Sequence, residues 1–158
     1  MRRPNGTDFF LPRSTQAIVP AAIGTAPGII SVALVIASRL ERLGWSIVLE
    51  QQKDIRLAGQ FCRCREAIAW LEASSPDVVL IDQILLTPKD CETLVRFAAQ
   101  NRTRFLLVAP HPVEPALAGS PYSFAFDCLL KGLSAEELLA AIRRQARAGI
   151  AQRAFGGQ

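Results

Sequence analysis

The segment 76–82, with the sequence PDVVLID, constrains the fold of this chain more than any other. Pro76 and Asp77 form a turn signal, and an apolar run leads from them directly to Asp82. A short apolar run without alternation is typical of a strand that is buried on both faces of a parallel sheet. Because parallel α/β sheets carry their working groups at the carboxyl ends of strands, Asp82 is the first candidate functional residue.

Strands and helices alternate from Ile29 onward. Strands are predicted at 29–36, 55–61, 78–82, 105–109 and 124–130, and helices at 38–51, 65–73, 90–100 and from 134 onward. A strand, a helix and a further strand in succession imply parallel pairing. The expected fold class is therefore α/β, with a five-stranded, doubly wound parallel sheet. On the first helix, the spacing of Leu40, Leu43 and Ile47 predicts a core-facing row.

Two proline-rich segments interrupt this pattern. Residues 1–28 lack a helical or strand period, which predicts a flexible tail before a domain at 29–149, and residues 150–158 are assigned to a C-terminal tail. Between the fourth and fifth strands, residues 110–122 contain four prolines, so any helix there is limited to a turn or two.

The net charge of +4 comes from the ends of the chain. Residues 143–158 hold four arginines and no acid, whereas residues 29–142 are nearly balanced. Without interleaved aromatic residues or a recognition helix, these arginines favour a solvated helix end over direct nucleic-acid binding. The chain also contains no glycine-rich phosphate loop.

A charge-free stretch at 14–38 follows the basic N-terminus, as in a signal peptide or a membrane anchor. Four proline and glycine residues divide it into runs that are too short to cross a hydrocarbon core of about 30 Å. We therefore expect a cytoplasmic protein without a membrane association, with secretion or anchoring as the alternative.

Four cysteines lack the spacing of a zinc site, which favours reduced structural thiols. The alternative is a redox or metal sensor, in which the thiols and the single histidine meet near one edge of the sheet; neighbouring arginines would favour the thiolate form of the first two cysteines. These candidates are Cys62, Cys64, Cys91, Cys128 and His111. For His111, a loop position between two prolines is the plainer interpretation.

Four segments together resemble the receiver domains of response regulators, most closely those of the NarL/FixJ type. They are SVALVIAS for the first strand, PDVVLID for the third, RFLLVAP for the fourth, and LLKGLSAEELLAAIRR for the fifth strand and last helix. The resemblance implies a CheY-like, flavodoxin-like sheet with strand order 2-1-3-4-5. It also implies a site at the carboxyl ends of strands one, three, four and five.

Two of the family's chemical positions are retained and several are replaced. By the resemblance, Asp82 matches the phospho-acceptor and Lys131 the lysine that pairs with the phosphoryl group. The family's acidic pair and its two switch positions are occupied by residues without those functional groups: Ile36 and Ala37, and Ala109 and Cys128. Because the acidic pair helps to hold Mg²⁺, we expect no cofactor and a lost or very slow phosphorylation step.

The resemblance therefore implies a pseudo-receiver, a non-enzymatic signalling domain that acts by phosphorylation-independent binding. Its expected partner is another protein or a second copy, bound through the family's face of helix four, strand five and helix five. On that face, Arg143, Arg144 and Arg147 are the candidate contact residues, or else a solvated charged surface. A phospho-accepting regulator that uses Asp82 with Lys131 and the thiol sensor remain the alternatives.

Overall fold

The computed structural model describes residues 28–111 and 126–155. Its strands are β1 (Ile30–Val35), β2 (Ile55–Phe61), β3 (Val78–Asp82), β4 (Arg104–Ala109) and β5 (Phe126–Leu130). Its helices are α1 (Arg39–Glu50), α2 (Cys64–Leu71), α3 (Pro88–Gln100) and α4 (Ala135–Phe155), and a 3₁₀ turn (Gln83–Leu85) follows β3.

All five strands are parallel and lie in the order β2-β1-β3-β4-β5, which confirms the predicted fold class. The central strands β1, β3 and β4 are almost entirely buried, as the continuous apolar runs indicated. Parallel pairing brings the carboxyl ends of these strands to one edge of the sheet, where the chain of β3 ends in Asp82.

The sheet separates two apolar cores. Val79 and Ile81 point to the core beneath α2 and α3, whereas Val78 and Leu80 point to the core beneath α1 and α4. This alternation follows from the two-residue period of a strand. Asp82 continues the row of Val78 and Leu80, so its side chain lies on the α1 and α4 face.

Side-chain caps fix three of the helix starts. The Ser38 hydroxyl accepts a hydrogen bond from the Glu41 amide at 3.3 Å, as predicted. Ser134 and Glu137 form the predicted reciprocal pair at the start of α4. The helix α3 begins at Pro88, two residues before the predicted start, because Thr87 and Asp90 form a further capping box and proline is tolerated in a first turn.

The predicted core row of α1 was wrong. Leu40, Leu43 and Ile47 are 80%, 55% and 49% exposed, and the side chains that pack toward the sheet include Ser46 and Leu49. The helix has two apolar faces, and periodicity does not say which one is covered. The small Ser46, whose hydroxyl bonds the Leu43 carbonyl at 2.7 Å, lets the other face approach the sheet.

The last helix continues to Phe155, past the boundary that the sequence placed at Gly149. A methyl group at Gly149 would lie 3.0 Å from the carbonyl oxygen of Arg102 and 3.3 Å from Arg104 Cγ. Absence of a side chain at Gly149 thus lets α4 lie close to the loop before β4.

Several predictions concern residues outside the described ranges. They are the flexible tail predicted at 1–28, apart from Gly28, most of the short or irregular segment predicted at 110–122, the first two residues of the predicted fifth strand and the last three residues of the chain. Among the described helices, none combines the length and the apolar character that a membrane span requires.

Two helix glycines provide a matched test of the close approach at α4. Gly44→Ala adds a methyl group that meets nothing within 4 Å, so it should raise the free energy of unfolding by about 0.5–1 kcal/mol through helix propensity alone. Gly149→Ala carries the same propensity gain but presses on the Arg102 carbonyl. We expect its unfolding free energy to lie at least about 1 kcal/mol below that of Gly44→Ala in urea titrations. Equal gains in both variants would contradict the close packing.

Candidate functional site

The two retained positions of the site contact each other. Lys131 Nζ lies 3.4 Å from Asp82 Oδ2, and the Asp82 side chain is 2% exposed. Lys131 follows β5 directly, and its backbone N–H donates to the Ala109 carbonyl at 2.8 Å, which ties the end of β5 to the end of β4. A buried carboxylate requires a compensating charge, and Lys131 supplies it.

Glu41 is a third member of this site, and the sequence analysis missed it. Its Oε2 atom lies 3.6 Å from Lys131 Nζ, so one ammonium group serves two carboxylates. Glu41 reaches this position because the Ser38 cap starts α1 directly above the carboxyl edge of the sheet. The sequence signal that could have identified Glu41 is its place in the first turn of the helix after β1, close to the carboxyl edge of the sheet.

The positions that the resemblance assigns to the acidic pair contain no metal ligands on their side chains. Ile36 is buried and Ala37 is exposed. The Arg42 guanidinium donates to the Ile36 carbonyl at 2.6 Å. A positive charge therefore stands at the end of β1, and it disfavours a divalent cation there. The sequence analysis did not identify Arg42 as part of the site.

The two switch positions also differ from the family pattern. Ala109 is buried at the end of β4 and offers no hydroxyl group. Cys128 is exposed on β5, on the same face of the strand as Phe126, which stacks on Phe105 with 5.1 Å between ring centroids. Neither side chain can bind a phosphoryl oxygen as a hydroxyl residue does.

The second carboxylate oxygen of Asp82 is a hydrogen-bond acceptor that no described residue uses. Asp82 Oδ1 is buried and makes no hydrogen bond to any residue that the structure describes. Throughout 28–111 and 126–155, no group of three His, Cys, Asp or Glu side chains is arranged to hold a metal ion. The site therefore combines one buried carboxylate, one shared ammonium group and one unused acceptor.

Two of the four candidate sensor thiols, Cys64 and Cys91, have surroundings that disfavour the reactive thiolate form. Burial raises the pKa of Cys64 to about 12, with further contributions from the nearby Asp90 carboxylate and from Cys91. Burial and Asp90 also raise the pKa of Cys91. The expectation that neighbouring arginines favour a Cys64 thiolate was wrong, because Arg65 is exposed while Cys64 is 4% exposed in the core.

His111 and the two tryptophans lie in separate surroundings. His111 is exposed immediately after β4, as expected of a loop residue. Trp70 packs on Phe61 in the α2 and α3 core with 5.2 Å between ring centroids. Trp45 is partly buried on the other side of the sheet, where it lines a cavity between α1 and the loop before α4.

Two of the three candidate contact arginines are engaged within the chain. The Arg143 guanidinium donates two hydrogen bonds to the Asp54 carboxylate, at 2.8 and 2.9 Å, in a bidentate arrangement. These hydrogen bonds lower the pKa of Asp54. Arg144 bonds Asp127 of β5 at 3.0 Å. Arg147 is exposed. The structure thus gives Arg143 and Arg144 positions that brace α4 against the rest of the domain.

Comparison with curated proteins finds response regulators that are similar to this chain. The chain is 29% identical over 115 residues to response regulator UvrY of Escherichia coli O6:H1 (strain CFT073), covering 72% of this chain and 53% of that protein. The UvrY protein of Escherichia coli strain K12 is 28% identical over 115 residues. The chain thus spans about half the length of the curated relatives it matches. No protein-family model matches the chain.

Solved structures show the same architecture. The receiver domain of the putative response regulator NarL from Mycobacterium tuberculosis superposes with a TM-score of 0.65 at 22% identity, covering 77% of this chain and 98% of that one. The chain has the fold of response-regulator receiver domains and is similar in sequence to regulators of this kind. A receiver domain from Vibrio parahaemolyticus, of a putative Luxo repressor protein, superposes with a TM-score of 0.62 at 18% identity, covering 82% and 99% of the two chains.

The helix α4 follows β5, where the resemblance placed the last helix of the domain. The segment between β4 and β5, where the resemblance implies a further helix, lies outside the described residues apart from Pro110 and His111. Strand order, the position of Asp82 and the position of Lys131 agree with the expectations that the resemblance gave.

The raised pKa of Cys64 predicts that its thiol is alkylated slowly. At pH 8 about one Cys64 side chain in ten thousand is a thiolate, so native alkylation by iodoacetamide should be at least about 100-fold slower at Cys64 than at the exposed Cys128. Peptide mass mapping after timed quenching measures both rates. Alkylation in urea is the control and should remove the difference. Equal native rates would restore Cys64 as a sensor candidate.

Proposed function

We propose that this chain is a pseudo-receiver, which acts in signal transduction or transcriptional regulation through phosphorylation-independent protein contacts. The observation that supports this proposal is the surroundings of Asp82: its carboxylate is paired with Lys131, and the side chains of Ile36 and Ala37 offer no oxygen atoms. The proposal includes the absence of enzymatic activity, the absence of a Mg²⁺ requirement and a cytoplasmic location.

Phosphoryl transfer to a carboxylate needs charge neutralisation around the transferring group. A divalent cation usually provides it, and Mg²⁺ requires several oxygen ligands in near-octahedral geometry. Asp82 supplies one carboxylate, and Arg42 places a guanidinium group at the end of β1. Glu41 is a second carboxylate in contact with Lys131, but it shares that ammonium group with Asp82, so a cation between the two carboxylates would face the Lys131 charge.

The apolar α1 stripe, which consists of Leu40, Leu43 and Ile47, is our candidate contact surface. Large apolar side chains that lie together on one exposed helix face favour protein association. Fully burying an exposed side chain of this kind yields about 1.5–3 kcal/mol, and covering one that is already half buried yields about half of that. The family's face of helix four, strand five and helix five remains an alternative surface for a protein partner or a second copy. Of its arginines, Arg147 is exposed, and Arg143 and Arg144 bond within the chain.

Incubation with acetyl phosphate and Mg²⁺ tests the loss of phosphorylation. We expect the intact mass to stay unchanged, because Asp82 lacks the oxygen ligands that hold the cation. A receiver with a complete acidic pair, treated in parallel, shows that the reagent is active. A stoichiometric phosphoryl adduct that disappears in Asp82→Asn would replace the pseudo-receiver with the phospho-accepting regulator that uses Asp82 and Lys131.

Affinity capture with matched surface variants tests the α1 stripe. Ile47→Ser removes an apolar contact from the stripe, whereas Ile150→Ser makes the same change at an exposed position of α4. We expect partners captured by the wild-type domain to bind Ile47→Ser at least about tenfold more weakly and Ile150→Ser unchanged, with no phosphodonor present. Asp82→Asn should capture the same partners.

The capture experiment also has outcomes that contradict the proposal. If binding requires a phosphodonor, or if Asp82→Asn loses the partners, recognition depends on phosphate. If Ile47→Ser and Ile150→Ser behave alike, the contact surface lies elsewhere on the domain.

A further inference from the structure

A cavity of about 330 Å³ lies between α1 and the loop that joins β5 to α4. Leu80 and Val108 of the sheet line it together with Trp45, Leu133 and Leu138 from the surrounding elements. An apolar cavity of about 150 Å³ is enough to hold one benzene molecule, so this cavity has room for two large apolar side chains. Its lining favours such an occupant, because apolar surface gains free energy when it leaves water.

The charged residues of the lining do not select a charged ligand. They are Glu41 and Lys131, whose side chains pair with each other at 3.6 Å, so that their charges offset. Lys131 is in addition paired with the buried Asp82 at 3.4 Å. The occupant that fits this lining is therefore apolar.

The segment that precedes β1 in the sequence holds an apolar cluster of matching size. Phe9 and Phe10 are the only aromatic residues in 1–27, and Leu11 follows them directly. The next residue is Pro12, and a proline favours an extended backbone at the residue before it. Residues two apart in an extended segment point to the same side, so Phe9 and Leu11 can enter one cavity together.

The chain between this cluster and the domain is long enough to reach the cavity. Residues 12–27 separate Leu11 from Gly28, which lies two residues before β1. A chain of this length spans about 53 Å when fully extended, and about 22 Å on average as a random coil. The strand β1 covers about 20 Å, so the average span of the linker is comparable with the distance from its start to the carboxyl edge of the sheet.

Attachment to the same chain favours occupancy even where the contact itself is weak. Burial of two large apolar side chains corresponds to a dissociation constant of about 1 mM. A flexible linker of this length gives an effective concentration in the millimolar range. About half of the molecules or more would then have the cavity filled.

We propose that the N-terminal segment of this chain docks on its own domain, with Phe9 and Leu11 inserted in the cavity beside Trp45. The free energy of docking comes from apolar burial, and the paired Glu41 and Lys131 remain at the rim. The docking does not rest on the pseudo-receiver proposal, since it involves neither phosphate nor the α1 stripe.

The indole N–H signal of Trp45 in NMR spectra of the full chain tests the docking. Phe9→Ser combined with Leu11→Ser removes both inserted side chains. Ile18→Ser combined with Val19→Ser is the matched control, because it makes two apolar-to-serine changes in the same segment. We expect the first pair to shift the Trp45 signal and the control pair to leave it in place.

A synthetic peptide of residues 6–14 provides the complementary measurement. Added to the chain with Phe9→Ser and Leu11→Ser, it should return the Trp45 signal toward its wild-type position with a dissociation constant of about 1 mM or tighter. Added to the wild-type chain, it should bind at least about twofold more weakly, because the attached segment competes for the cavity. Trp70 lies in the opposite core, and its signal should stay in place throughout.

Variants at Gly44 locate the bound peptide. Gly44 lines the cavity, and a side chain added there starts in open space, so Gly44→Leu should fold normally and cover part of the cavity. Combined with Phe9→Ser and Leu11→Ser, it should weaken peptide binding at least about tenfold. Gly44→Ala in the same background is the matched control and should retain binding.

Four results would overturn the docking. If Phe9→Ser with Leu11→Ser leaves the Trp45 signal in place, the cavity is open to a separate partner. Equal shifts in the two pairs of tail variants would show that the cluster is not the anchor, and intact peptide binding in Gly44→Leu would place the contact elsewhere. A wild-type Trp45 signal that moves on dilution would assign the occupant to a second copy of the chain.

Discussion

The ion pair between Asp82 and Lys131 is the constraint on which the carboxyl edge of the sheet depends. A carboxylate that is 2% exposed needs a positive charge nearby, because the free energy of an unpaired buried charge is high. Lys131 meets this need from the end of β5, and its backbone bond to Ala109 aligns β5 with β4. The same ammonium group reaches Glu41, so α1, β3 and β5 are joined at one point. The pairing leaves Asp82 Oδ1 without a hydrogen bond to any residue that the structure describes.

The helix α1 carries two apolar faces that serve different purposes. One includes Trp45 and Leu49 and covers the sheet, where it also forms a wall of the cavity. The other, with Leu43 and Ile47, faces solvent. Gly44 lies between the exposed stripe and the cavity, so the two apolar surfaces meet across a residue without a side chain.

The sequence predicted the sheet well and the helix faces less well, for a physical reason. A strand such as 78–82 is apolar at every position, so burial on both faces follows from the residues alone. The residue pattern of a helix shows which faces are apolar but not which of them the sheet covers, and α1 has two apolar faces. The site shows the same limit. Asp82 was predicted from its place at a strand end and Lys131 from the resemblance, whereas Glu41 and Arg42 enter through the orientation of the helix that the Ser38 cap starts.

The sequence by itself determined the parallel α/β class, the strand order implied by its resemblance, and the chemical identity of the edge residues. These depend on the order of the apolar runs along the chain and on which side chains carry oxygen or nitrogen atoms. Both can be read directly from the sequence. Only the tertiary structure decided that Leu40 is exposed, that Cys64 is too buried to be a ready thiolate, and that Arg143 is bound to Asp54. Exposure and pairing depend on which distant segments meet, and the packing of the whole domain determines those contacts.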